Sequence, residues 1–375
     1  MSGRSEEAPE PDRLPGWPHP REAESLIGQT TAEGAFLDAW TAGRLHHAWL
    51  LTGTAGIGKA TLAYRIARAL LAEGPANGSG PAPNTLAPPP DCPVMRRIRA
   101  GGEPRLAVLR RSIAERTGRL RGQISVDDVR ALKGFLGLSA ADGGWRAVIV
   151  DAADEMTVQA ANALLKSLEE PPPRTAFLLV AHAPGRLLPT IRSRTRRLDC
   201  ASLNAADLAA ALRSLGAEEA AGEADGLAAL AGGSVGGALR LAEGGGLALY
   251  AKLCGLLSLA NNGFEIDRRR LVDLAEGMGG RQGEGAYALA LELGPLLLAR
   301  LARAAAGAPP KPAIEAEARL LAHARSLRAA TLASGAASMA EAGRAAAAVS
   351  LDPSRTVIDT WLGFEAALAR PPGLA

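Results

Sequence analysis

The sequence predicts an α/β domain followed by an all-α region, and three observations carry this. Residues 47–52, H-A-W-L-L-T, form a short apolar run that leads into the loop G-T-A-G-I-G-K and then a helical pattern over 59–72. Further apolar runs at 146–151 (R-A-V-I-V-D) and 175–181 (T-A-F-L-L-V-A) alternate with helical patterns. That alternation is the mark of a parallel sheet covered on both faces. After Cys200 the strand signal vanishes, and Ala- and Leu-rich helical patterns take over.

Taken in order, residues 1–20 are acidic and Pro-rich and are expected to form a disordered tail. Residues 22–43 read as helical, with Leu26, Ile27, Ala35, Phe36, Leu37 and Trp40 as core contacts. Residues 73–93, rich in Gly, Pro and Asn, read as a flexible surface insertion within the α/β domain. A second strand is expected at 106–109. Residues 125–138 form a helix with Ser125 as N-cap and Asp127 and Asp128 in its first turn. The helix at 158–169 is stopped by Pro171, Pro172 and Pro173. A short helix at 187–193 and a closing strand at 197–200 complete the α/β domain, which spans 21–200. Short helices fill 201–245 up to a hinge at Gly244, Gly245 and Gly246. A larger helical domain spans 246–375, with a break at Pro309, Pro310 and Pro312.

Composition narrows the function. Of 375 residues 47% are hydrophobic, enough for sizeable cores, and the net charge of +3 predicts no bulk affinity for nucleic acid. Cys92, Cys200 and Cys254 are far apart and form no C-x-x-C, so neither a disulfide framework nor a zinc site is expected. A reducing cytoplasm fits such cysteine usage. No run of 18 uncharged apolar residues is present and the N-terminus lacks the apolar core of a signal peptide, so no membrane association is expected.

The loop at 53–59 matches the phosphate-binding pattern G-x-x-x-x-G-K. Gly53, Gly56 and Gly58 let backbone N–H groups turn toward a phosphate, and Lys59 reaches the β- and γ-phosphates at the positive end of the next helix. The following position should be Ser or Thr, whose hydroxyl holds Mg²⁺, and it is Ala60. Thr61 comes next, but one residue turns a helical side chain by about 100°, so it is a poor substitute. ATP or ADP binding at this degenerate loop stays open beside a loop kept only for its fold. Asp151 ends an apolar strand, the place of a metal-binding carboxylate, yet the water-orienting Glu that often follows is replaced by Ala152. Asp154 and Glu155 read as helix caps. The losses at Ala60 and Ala152 argue against a fast ATPase. Arg192, Arg194, Arg196 and Arg197 crowd one segment, either as a solvated face or as the source of an arginine finger.

Three segments carry a resemblance to the clamp-loader branch of the AAA+ proteins. They are H-H-A-W-L-L-T-G-T-A-G-I-G-K-A-T-L-A from His46, V-D-A-A-D-E-M-T-V-Q-A-A-N-A-L-L-K-S-L-E-E-P-P from Val150, and L-P-T-I-R-S-R from Leu188. The likeness covers about residues 20–200 and is strongest with the delta-prime family of bacterial DNA polymerase III. It implies an AAA+ P-loop domain, a helical lid at 201–245 and a helical collar at 246–375 through which subunits assemble. The family's Ser-Arg-Cys motif stands here as Ser193, Arg194 and Thr195, which implies that Arg194 serves ATP held by an adjacent subunit. The lid arginine of the ATPase paralogues is missing from Gly233, Ser234, Val235 and Gly236. The implied partners are gamma/tau and delta subunits, the sliding clamp and, through the complex, primer-template DNA; Arg130 and Lys133 are candidate phosphate contacts. Two alternatives remain: an active ATPase of the gamma/tau type and, more remotely, a small-molecule kinase.

Overall fold

The computed structural model describes residues 10–73, 85–87, 92–114, 117–137, 144–260, 263–349 and 352–368. The chain divides into two compact units, one built on residues 1–203 with short returns at Ser214–Gly216 and Ser234–Gly236, the other on the remainder. The first unit holds a five-stranded sheet in the order β2-β3-β4-β1-β5. Its strands are β1 (Ala48–Thr52), β2 (Leu106–Arg110), β3 (Arg146–Asp151), β4 (Thr175–Ala181) and β5 (Arg196–Asp199), and every pairing is parallel.

The apolar runs are strands because both of their faces are buried. Ala48, Leu50, Val148, Val150, Phe177 and Leu179 join one core cluster with residues of α4 (Val126–Gly137) and α5 (Val158–Glu169). The alternate residues Trp49, Leu51, Ile149 and Leu178 are equally buried. They point to the opposite face, as the period of two demands. There α2 (Lys59–Ala72) packs on β3 and β4, and Phe36 of α1 (Thr30–Thr41) lies 5.0 Å from the Trp49 ring. Two shorter helices, α3 (Pro93–Arg99) and α6 (Pro189–Arg192), complete the unit. Ser125 caps α4 reciprocally: its Oγ lies 2.7 Å from Asp128 Oδ2, and its backbone N–H donates to the same carboxylate at 2.8 Å.

Three expectations need correction here. The helix expected over 22–43 begins only at Thr30, since Glu22 to Gly28 form no helix. Of the expected tail, residues 1–9 lie outside the described residues, but 10–20 are folded in turns. His19 is fully buried beside Asp12 at 3.1 Å, and Arg110 at the end of β2 donates to both Asp12 and Glu10. The ion pairs outweigh the low hydrophobicity on which the expectation of disorder rested. Most of the insertion, 74–84 and 88–91, lies outside the described residues; its last residues begin differently than expected, with Cys92 as N-cap and Pro93 as first residue of α3.

The second unit contains α7 (Ala205–Ser214), α8 (Glu218–Gly222), α9 (Ala224–Ala231), α10 (Val235–Glu243), α11 (Gly246–Gly255), α12 (Arg268–Glu276), α13 (Gly280–Ala305), α14 (Glu315–Ala324), α15 (Ala329–Val349) and α16 (Pro353–Leu368). Gly245, at φ +63°, turns the chain from α10 into α11. The region expected to be wholly helical also holds an antiparallel pair, β6 (Leu257–Ala260) and β7 (Gly263–Ile266). Between α13 and α15 a Cβ on Gly294 would sit 2.9 Å from Met339 Sδ, so glycine sets how closely the helices approach. Residues Gly283–Ala305 of α13 are long and apolar enough to cross a membrane. Half of that stretch is buried, with Leu293, Leu297, Leu298 and Leu301 in the interior, as in the core helix of a helical bundle.

Candidate functional site

The phosphate loop sits between β1 and α2, where a parallel sheet presents its carboxyl edge. Gly56 has φ +72° and Gly58 φ +102°, conformations that side chains with a Cβ rarely adopt. Close packing adds to this. A Cβ on Gly56 would meet Ser234 Oγ at 2.7 Å and Gly236 Cα at 3.0 Å. Ser234 Oγ donates to the Ala55 carbonyl at 2.7 Å, and Gly236 N–H donates to the Gly56 carbonyl at 2.9 Å. Ser234 and Gly236 thus brace the loop, one by its hydroxyl and the other by its backbone.

Lys59 is buried, and its ammonium donates to the Gly53 carbonyl at 2.8 Å and the Thr54 carbonyl at 2.5 Å. Burial pushes its pKa down to about 8. Asp151, at the end of β3, is also buried, and burial pushes its carboxyl up to about 7, with the charges of Asp12, Glu155 and Asp154 adding and Lys59 opposing. In both groups desolvation outweighs their mutual attraction.

The neighbouring carboxylates correct the expectation that they cap a helix. Asp154 Oδ1 accepts from His182 N–H at 3.0 Å and Oδ2 from Ala183 N–H at 2.8 Å, fixing the turn after β4. Glu155 pairs with Arg111 at 2.8 Å. The cap of α5 is Thr157, whose hydroxyl accepts from Ala160 N–H.

These residues fit the two parts of a nucleotide unequally. The glycine backbone and Lys59 suit phosphate oxygens. The donor set for a divalent cation does not fit: position 60 has no hydroxyl, and Asp154 is taken up by two backbone N–H groups. Thr61 is half-buried on α2, one residue past the required place. Gly53, Gly56, Gly58 and Lys59 therefore gather in one loop as expected, while Asp151 stands near it as a group held largely by its own burial.

The arginine segment separates into distinct roles. Arg196 lies over the Trp49 ring at 5.0 Å, and Arg197 pairs with Asp199 at 2.5 Å. Arg194 follows α6 at a corner where Ser193 is exposed. Its Nη1 donates to the Thr190 carbonyl at 3.0 Å, and its Nη2 lies 2.7 Å from Glu169 Oε1. On the exposed face of α4, Arg130 pairs with Asp127 at 2.9 Å. A separate cleft of about 610 Å³ opens at the end of β2, lined by Arg110, Arg111, Ser112 and Asp128, away from the phosphate loop. Sequence reading missed Glu169, Asp12 and Ser234. Each acts on a residue far along the chain; Glu169 and Ser234 figured in the sequence reading only as members of segments singled out for other reasons.

With the geometry described, the known proteins this chain is similar to can be compared. Residues 28–204 match the family model described as "DNA polymerase III, delta subunit". The chain is 41% identical over 188 residues to DNA polymerase III subunit delta' of Pseudomonas aeruginosa, covering 50% of this chain and 53% of that protein. It is 34% identical over 172 residues to DNA polymerase III subunit gamma/tau of Mycobacterium bovis, covering 45% of this chain and 27% of that protein. The chain thus spans about half the length of the delta' relative. A crystal structure of a DNA polymerase III gamma subunit-related protein from Thermotoga maritima aligns over 91% of this chain and 99% of that one, at 19% identity and a TM-score of 0.36. The AAA+ fold assignment rests on the strand order and the phosphate loop at the end of β1, not on that alignment. The similarity to the DNA polymerase III delta-subunit family is carried by residues 28–204, the body of the α/β unit.

Proposed function

We propose that this chain is a largely non-catalytic subunit of a DNA polymerase III clamp loader. In this reading it assembles with gamma/tau and delta subunits through its helical collar at 246–375. It supplies Arg194 to ATP bound by a neighbour, so that ATP binding and hydrolysis load the sliding clamp onto primer-template DNA. The observation that carries the reading is a contrast within one unit. Its own loop lacks a fitting set of metal donors, while Arg194 stands at an exposed corner, its side chain 36% exposed. Metal and water-orienting groups supply large factors in phosphoryl transfer, and an arginine finger is worth about 10³ to 10⁵ in rate.

The test is ATP turnover by the complex reconstituted with its ATPase subunits. Arg194→Ala should slow turnover at the site it serves by about 10³ or more while assembly stays intact. Unchanged turnover would remove the finger assignment. A second reading, an active ATPase of the gamma/tau type, is favoured by the retained glycine geometry and Lys59 and by the similarity to the gamma/tau relative. The isolated chain with ATP and Mg²⁺ separates the two: the first reading expects background hydrolysis, the second a clear rate abolished by Lys59→Ala.

A further inference from the structure

We propose that Glu169 is the positioning residue for Arg194, an inference that rests on the finger reading above. The guanidinium carries five N–H donors in a rigid plane. Three are committed to acceptors of its own unit: Nη1 to the Thr190 carbonyl at 3.0 Å and to Ser193 Oγ at 3.4 Å, and Nη2 to Glu169 Oε1 at 2.7 Å. The Nε–H and one Nη2–H remain for a ligand. Two of the three acceptors belong to the finger's own turn and move with it. Glu169 is the third and stands on a different element, the last residue of α5. It therefore fixes the plane of the guanidinium relative to the sheet.

Folding gives little reason for the pair. Its side chains are 36% and 46% exposed, and exposed ion pairs contribute little to stability. The placement of Glu169 even runs against helix electrostatics, since a carboxylate at the C-terminal end of a helix faces the negative end of the dipole. The guanidinium beside it relieves that conflict. A long side chain held in one orientation before it meets phosphate loses less freedom on the encounter, and a displacement of 1 Å at a reacting group can cost about 10² in rate.

The test uses the full chain in the reconstituted complex, with kcat and KM for ATP measured for four variants. Glu169→Ala should lower kcat by about 10- to 100-fold with KM unchanged. Glu169→Gln, which keeps an uncharged acceptor, should fall between Glu169→Ala and the native chain. Arg194→Ala combined with Glu169→Ala should be no slower than Arg194→Ala alone, because Glu169 acts through the guanidinium. Melting temperature and assembly should match the native chain throughout. If Arg194→Ala slows turnover and Glu169→Ala does not, or if the two losses multiply, the positioning role is wrong and the finger stands. If Arg194→Ala itself changes nothing, the finger reading fails and this inference fails with it.

Discussion

Asp151 shows how much burial, helped by neighbouring carboxylates, does to one group. Its carboxyl titrates at about 7 in the folded chain against a reference value of 3.8. A raised carboxyl favours the folded state fully below about pH 4, and that stabilisation is lost as pH rises through 7. Asp151→Asn should therefore melt close to the native chain at pH 4 and above it at pH 8. A constant difference across that range, measured by thermal denaturation, would contradict the assignment. The glycines and Lys59 were legible in the sequence because their geometry is local: seven consecutive residues contain the whole pattern. The work of Asp154 was not legible, because its partners are the backbone N–H groups of His182 and Ala183, across the sheet edge. Nor was the burial of His19, whose Nε2 lies 3.3 Å from Arg110 Nη1 at the end of β2.

At the scale of elements, the central strands β1, β3 and β4 were readable to within a residue or so, because a strand buried on both faces writes itself as a largely apolar run. The β6–β7 pair was not, since its strands are short and sit among Ala- and Leu-rich helices; the N-G at 262–263 was the available hairpin signal. The helices of the second unit are joined by a buried polar cluster that periodicity cannot reveal. Glu317 on α14 is fully buried and lies 2.6 Å from Arg300 Nε on α13, and it accepts from Tyr250 Oη on α11 at 2.9 Å. Arg300 also donates to the carbonyls of Ala229 and Lys311. Glu317→Leu leaves that guanidinium buried without its counter-charge and should cost about 3–5 kcal/mol, read by urea denaturation. A Cβ on Gly335 would approach Phe364 Cδ2 to 2.5 Å, so Gly335→Ala should destabilise the α15–α16 contact by about 1–3 kcal/mol. A stabilised Gly335→Ala chain, as helix propensity alone would give, would show that the aromatic ring has room to move.

The whole molecule has two compact units, each with its own interior. Multi-domain chains commonly depart from two-state unfolding. Calorimetry should resolve two transitions, with Glu317→Leu lowering one and Asp151→Asn at pH 8 raising the other. A single transition moved by both substitutions would mean that the units melt together. The separate cores also explain why the boundary near residue 200 was legible: composition changes where one kind of core gives way to another. Residues 217–233 and 237–375, by contrast, fall in one compact unit, and the Arg300 bond to Ala229 crosses the boundary expected near residue 245. The ammonium of Lys59 rests on the carbonyls of Gly53 and Thr54. Two of its three N–H donors are thereby engaged, so an incoming anion meets the third or displaces one of those carbonyls. The buried ammonium thus draws part of its solvation from the backbone of the very loop that carries it.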